Sequence, residues 1–281
     1  MRVLLLGADG MLGHRLARTL RSRHELCVTT RAEGPPPFFG VDARDAAALS
    51  RVFDAARPDA VVNAIGLVKQ RPEAADTAAA VEVNALLPHR LAALCRERSA
   101  RLVHVSTDCV FSGRRGLYRE EDEPDPVDTY GRTKLLGEVT AAPAVTLRMS
   151  LVGLERRRAQ GLVEWFLSRT GEVPAYTRAR FSGLTTAEAA RVVARILETG
   201  LPASGLWHVA STPISKAELL SGLLSRIARP DLSLREDDSV VIDRTLDGRR
   251  FAAETGYKAP HWPDMLAELS DEVRERQESI G

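Results

Sequence analysis

Tyr130 and Lys134 stand four residues apart in "TYGRTK", and on a helix that spacing sets phenol and ammonium one turn apart on the same face. The pair suits proton chemistry. A free phenol titrates at about pH 10, and a cation held nearby favours phenolate and draws it toward neutrality. Lysine is scarce here, confined to Lys69, Lys134, Lys216 and Lys258, while arginine supplies nearly all the other basic charge. A compact ammonium can also donate to ribose hydroxyls in a geometry that a guanidinium fork does not reproduce. Just upstream, "VHVSTDCVFSG" puts Ser106 and Thr107 at the end of a predicted strand, where a hydroxyl could polarise a carbonyl while the tyrosine exchanges its proton. Each pattern also has a plain structural reading, a helix surface for the first and a turn or cap for the second.

The second chemical pattern follows the first predicted strand. "GADGMLGHRLARTL" sets Gly7, Gly10 and Gly13 in a G-x-x-G-x-x-G run that opens a helix, with Met11 and Leu12 in its first turn. A tight turn, close backbone approach and a positive helix end are what a dinucleotide pyrophosphate requires. Glycines that only make a turn would fit an isolated match; strand, glycines and helix in this order favour dinucleotide binding. Arg31 stands where an NAD site usually carries an acidic residue, and an arginine there pairs with a 2′-phosphate, which favours NADP. Glu33 keeps NAD possible as a ribose acceptor, and Arg31 as a surface charge is the alternative. Asp42 is placed either to receive the adenine amino group or to cap a helix.

The elements that must position these groups are legible as alternation. Strand-like runs fall at 2–7, 26–30, 60–66, 101–106 and 144–149, with helical periodicity at about 11–22, 44–56, 77–98 and 130–141. Apolar strands separated by helices indicate an α/β fold, a Rossmann-type doubly wound parallel sheet. Residues 1–150 are expected to form the NAD(P)-binding domain and 151–281 mainly a smaller α/β substrate domain, with chain from about 183–211 returning to the first. "EGPPPFFG" (33–40) reads as a rigid connector before a short strand. The 39 basic and 38 acidic residues give a net charge of +1 without a basic stripe, so nucleic acid is not an expected partner. No leader pattern or spanning apolar segment is evident, and a cytoplasmic protein with no membrane association is expected. Cys27, Cys95 and Cys109 lack a C-x-x-C spacing, so neither a disulfide framework nor a zinc site is expected.

In this order the glycine pattern, "VVNAIG", "VEVN", "STDCVFSG", "YREEDEPDPVDTYGRTKLLGE" and "LR" resemble the extended short-chain dehydrogenases/reductases. The "STD-VF-G" and "YGRTK" combination is similar to their dTDP-4-dehydrorhamnose reductase branch, strongly over residues 1–150 and more weakly beyond. The resemblance implies that Thr107, Tyr130 and Lys134 are catalytic and that the three glycines cradle the pyrophosphate. Asn63, Ala64, Ile65, Gly66 and Ser106 would line the cofactor, and Asn84 would stabilise the central helix or an active-site water. It further implies reduction by NADPH of the C4 ketone of a nucleotide-linked deoxyhexose, dTDP-linked in the branch's own chemistry, and it allows a homodimer. Cys109 departs from the pattern, because the family commonly has an aromatic residue there; the pocket beside it should differ in shape. Candidate substrate contacts are Lys69, Cys109, Trp165, Arg178 and Arg180, with core packing or plain surface charge as the alternatives. A nucleotide-sugar epimerase or dehydratase on the same scaffold, or an NADP-binding regulatory subunit, are the competing functions.

Overall fold

The computed structural model describes residues 1–30, 38–68, 76–156 and 161–278. Arg31, Glu33 and Lys69 lie outside the described residues. The first half alternates β1 (Arg2–Leu6), α1 (Met11–Arg21), β2 (Glu25–Thr30), β3 (Phe38–Gly40), α2 (Ala46–Ala56) and β4 (Ala60–Asn63). There follow α3 (Thr77–Ala80), a π-helical turn (Val81–Leu86), α4 (Leu87–Glu97), β5 (Arg101–Thr107), α5 (Thr129–Leu136) and β6 (Ala144–Met149). The second half carries β7 (Leu151–Val152), α6 (Leu162–Leu167), β8 (Gly171–Tyr176), β9 (Ala179–Phe181), β10 (Leu184–Thr185), α7 (Thr186–Thr199) and β11 (Gly205–His208). It ends in β12 (Ile214–Ser215), α8 (Lys216–Leu224), β13 (Leu232–Asp237), β14 (Ile242–Asp243), α9 (Arg249–Thr255) and α10 (Trp262–Glu278).

Seven strands form one parallel sheet in the order β11-β6-β5-β4-β1-β2-β3. Side-chain alternation along each strand feeds two separate cores. Leu5, Val62, Val103 and Leu147 pack on one face with Leu16 of α1 and Val193 of α7. Leu4, Leu6, Val61 and Leu102 pack on the other with Phe53 of α2 and Leu91 of α4. Both faces are thus covered, which is why the strands read as nearly continuous apolar runs. The chain runs outward from β1 through β2 to β3 and then crosses back to β4 on the other side of β1, so a crevice opens at the carboxyl ends of β1 and β4.

The second half builds smaller sheets from β8 with β13, from β12, β9 and β14, and from β7 with β10. It also returns to the large sheet through β11, which pairs with β6 from Gly205 to His208. Beyond β14 the chain runs beside the segment that follows β5: Asp243 N–H donates to Gly113 O (2.7 Å), and Tyr118 N–H donates to Thr245 O (2.9 Å). Among the described residues no helix is long and apolar enough to cross a membrane.

Candidate active site

The glycine turn is built where the crevice opens. Gly7 has φ +85°, a left-handed conformation that strongly favours glycine, and Gly10 N–H donates to Gly7 O at 3.0 Å. A Cβ on Gly13 would collide with Gly7 O, so hydrogen alone fits between α1 and the turn. Gly10 caps α1 without a side-chain hydrogen bond, and no acidic residue lies in the first turn, where Met11 is half-buried and Leu12 buried. The N–H groups there remain open to an anion. Ala64 and Ile65 border the turn from the end of β4, with Ile65 Cγ1 2.9 Å from where a Gly7 Cβ would sit. Small residues, bare amides and a positive helix end fit a dinucleotide pyrophosphate. Gly13→Ala should force α1 and the turn apart, costing about 1–3 kcal/mol as an overpacking change and weakening NADP binding; thermal unfolding and an NADP titration would both have to stay at wild type to refute this. Asp42 sits in the loop before α2, exposed and paired with Arg44 at 2.6 Å. The cap of α2 is instead Asp45, which accepts from Ala47 and Ala48 N–H at 2.9 and 3.0 Å.

Thr107 closes β5, buried, with Oγ1 accepting from Cys109 N–H (3.1 Å) and donating to Asp108 Oδ1 (3.2 Å). Asp128 starts α5 by accepting from Gly131 N–H at 2.8 Å, and a Cβ on Gly131 would collide with Cys109 O. That close approach brings Tyr130 beside Thr107. The residue is half-buried. Burial pushes the phenol above its ordinary value, with Cys109, Asp108 and Asp128 adding to the effect and the neighbouring Thr107 opposing it. Lys134 is buried and donates from Nζ to Val105 O at 2.7 Å; burial pushes it down to about 8 against the pull of Glu138. The expected lowering of the phenol by Lys134 is therefore not observed: the ammonium is turned to the strand backbone, and the groups around the phenol are acidic.

Supporting contacts tie the two halves of the site together. Asn84, in the π-helical turn, accepts from Leu67 N–H (2.8 Å) and donates to Leu67 O (3.0 Å) and Thr133 Oγ1 (3.1 Å). It clips the loop containing Gly66 to α5. Asn63 accepts from Ile65 N–H and donates to His104 Nδ1, both at 3.1 Å, beneath the same loop. Ser106 donates to Glu138 at 2.7 Å and is turned away from Thr107's side of the strand. Glu138 also receives Arg148 Nε (2.8 Å) and Nη2 (2.7 Å) in a fully buried pair. Arg148 Nη1 donates to His208 Nε2 (3.2 Å), and His208 Nδ1 donates to Tyr118 O (3.0 Å), which fixes a neutral ring. Burial, then Arg148, push His208 down to about 3 from 6.5. Because the unfolded chain binds this proton and the folded chain does not, stability should be lost as pH falls from about 6.5 toward 3. Melting temperatures across that window should fall less steeply in His208→Asn; parallel curves would discount the residue.

A family model described as RmlD substrate binding domain matches residues 1–224. The chain belongs to this family. Over nearly their whole lengths, 96% of this RmlD-family chain and 97% of the relative, it is 30% identical to a probable low-salt glycan biosynthesis reductase of Haloferax volcanii. It is 40% identical to a dTDP-4-keto-6-deoxy-D-glucose reductase of Streptomyces niveus, in a match spanning 49% of this chain and 46% of that protein. The crystal structure of a hypothetical dTDP-4-dehydrorhamnose reductase from Sulfolobus tokodaii superposes with a TM-score of 0.79 at 27% identity, covering 93% of this chain and 98% of that one.

On the substrate side of this RmlD-family chain, the expected residues do not gather. Trp165, on α6, packs against the first core and lies under the Arg169 guanidinium at 5.3 Å. Arg178 and Arg180 are exposed on the β8–β9 turn and β9, and their side chains make no hydrogen bond among the described residues. Cys109 is half-buried beside Thr107. The arginine brought to it is one that sequence spacing gave no reason to choose, Arg244, whose Nη1 lies 3.7 Å from Cys109 Sγ. Glu138 and Arg148 were more visible, the first four residues beyond Lys134 and the second a charge inside an apolar strand.

Proposed function

We propose that this protein is an NADPH-dependent reductase acting on the C4 ketone of a nucleotide-linked 4-keto-6-deoxyhexose, with a dTDP-linked sugar as the leading substrate. The observation that carries the reading is the close packing of the start of α5 against the end of β5, which sets Tyr130 beside Thr107 at the same sheet edge as the glycine turn of β1. When bound, the dihydronicotinamide supplies a hydride to the ketone carbon. Tyr130 gives its proton to the oxygen as it becomes an alcohol, and a phenol held above its ordinary value is in the protonated form this step needs. Thr107 holds the same oxygen by a hydrogen bond. Lys134 presents a buried ammonium one helical turn from Tyr130, suited to the cofactor's ribose hydroxyls. Asn84 keeps α5 and the loop after β4 in register, so proton donor and cofactor wall move as one.

The test is to incubate the protein with NADPH or NADH and a small panel of 4-keto-6-deoxy nucleotide sugars, following loss of reduced cofactor and formation of the hydroxy sugar. Ketone-dependent oxidation, faster with NADPH, is the expected result. Tight NADP binding with no oxidation by any ketosugar would turn the reading toward a regulatory subunit.

A further inference from the structure

Arg244 joins the second half of the chain to the turn that carries Thr107. Its backbone N–H donates to Arg180 O at 3.0 Å, its Nε donates to Phe111 O at 2.9 Å, and Nη1 reaches Cys109 Sγ at 3.7 Å. The guanidinium also acts on the Asp108 carboxyl between Thr107 and Cys109. Backbone bonds from Asp243 to Gly113 and from Tyr118 to Thr245 hold this arginine's segment along the loop, so its position is fixed at both ends. Phe111 and Cys109 engage two of its five N–H groups. The remaining three have no acceptor among the described residues, and the side chain is half-buried rather than extended into solvent. A larger side chain at position 109, following the direction of Sγ, would run into the guanidinium. Cys109 and Arg244 therefore share one space beside Tyr130.

We propose that Arg244, admitted by the small Cys109, forms the sugar-recognising wall of the substrate cleft, its Nη groups donating to hydroxyl oxygens of the hexose; this rests on the reading of the cleft as a nucleotide-sugar reductase site. A guanidinium has donors only, in a planar fork that suits two neighbouring oxygens, and a hexose offers such pairs where a simple ketone does not. The adjoining Asp108 carboxyl offsets its charge, which favours neutral hydroxyl oxygens over a diphosphate. Arg244 is in this sense a specificity residue, separate from the proton donor.

Isothermal titration in the presence of NADP, comparing dTDP-glucose with dTDP, separates the hexose from the nucleotide. The wild type should bind dTDP-glucose more tightly than dTDP. Arg244→Ala should weaken dTDP-glucose by roughly tenfold or more, the scale of a charged hydrogen bond, with dTDP and NADP nearly unchanged. Arg244→Lys should recover little, because an ammonium cannot keep the Phe111 contact and span two oxygens together. Cys109→Tyr should weaken dTDP-glucose in the wild-type background and add nothing in Arg244→Ala. A purely structural role would lower dTDP and NADP affinity together with the sugar's, and that pattern in both Arg244 variants overturns the proposal. So does unaltered dTDP-glucose binding, or a wild type that gains nothing from the hexose. Turnover of the ketosugar panel by the wild type decides the reductase reading separately.

Discussion

Tyr130→Phe is expected to lower turnover by about 10²–10⁴-fold, the usual worth of a positioned general acid, while NADP binds as before. The ring and its packing remain, and only the hydroxyl beside Thr107 is removed. Lys134→Ala should instead damage both turnover and NADP binding, since it also breaks the bond to Val105 O. Stopped-flow oxidation of NADPH under single-turnover conditions would read the chemical step directly. Wild-type rates in the phenylalanine variant would remove Tyr130 from the reaction.

The second large effect concerns stability. Glu138 and Arg148 are 5% and 2% exposed, and their two hydrogen bonds are joined by those from Ser106 and to His208. Removing one partner of such a pair leaves an uncompensated buried charge at a cost of about 3–5 kcal/mol, a large part of the roughly 5–15 kcal/mol that holds a domain folded. Arg148→Met should therefore shift the urea midpoint strongly at constant slope. Pairing it with Glu138→Leu should restore much of the loss, because two apolar side chains can fill the space that neither lone charge tolerates. A single variant within about 1 kcal/mol of wild type, the scale of an exposed pair, would contradict the assignment of this network to the interior.

Much of the architecture could be read from residue order, because local signals and tertiary demands coincide in it. The expected strands at 26–30, 101–106 and 144–149 appear as β2, β5 and β6 with shifts of a residue at most. Where boundaries moved, a contact from elsewhere in the chain is the cause. The strand expected at 60–66 stops at Asn63, whose side chain turns to bind Ile65 N–H and His104. The helix expected to run to 141 stops at Leu136, since Gly137 packs against Asn84 O with no room for a Cβ and Glu138 turns to Arg148. The π-helical turn inside the long helix at 77–98 has no local signature, but Asn84 within it is bound to Leu67 and Thr133. The phenol was misjudged for a related reason. Spacing placed a lysine near it, but Asp108 and Cys109 reach the phenol from the turn after β5, and the carbonyl of Val105 on the same strand accepts the lysine's hydrogen bond instead. Arg244 was wholly hidden, 135 residues away in sequence from the cysteine it touches.

The lateral position of β11 has a consequence for how the chain must be made. Six of the seven strands are complete once Met149 has been synthesised, yet the open side of β6 waits for Gly205–His208. Until those residues emerge, the nascent sheet presents a row of unpaired amides and carbonyls, the kind of edge onto which another chain can add. Arg148, on that same strand, meanwhile lacks the histidine that receives its Nη1. The last strand of the sheet thus acts as a closing seam, added after more than fifty intervening residues, and until it is in place this side of β6 stays open to pairing.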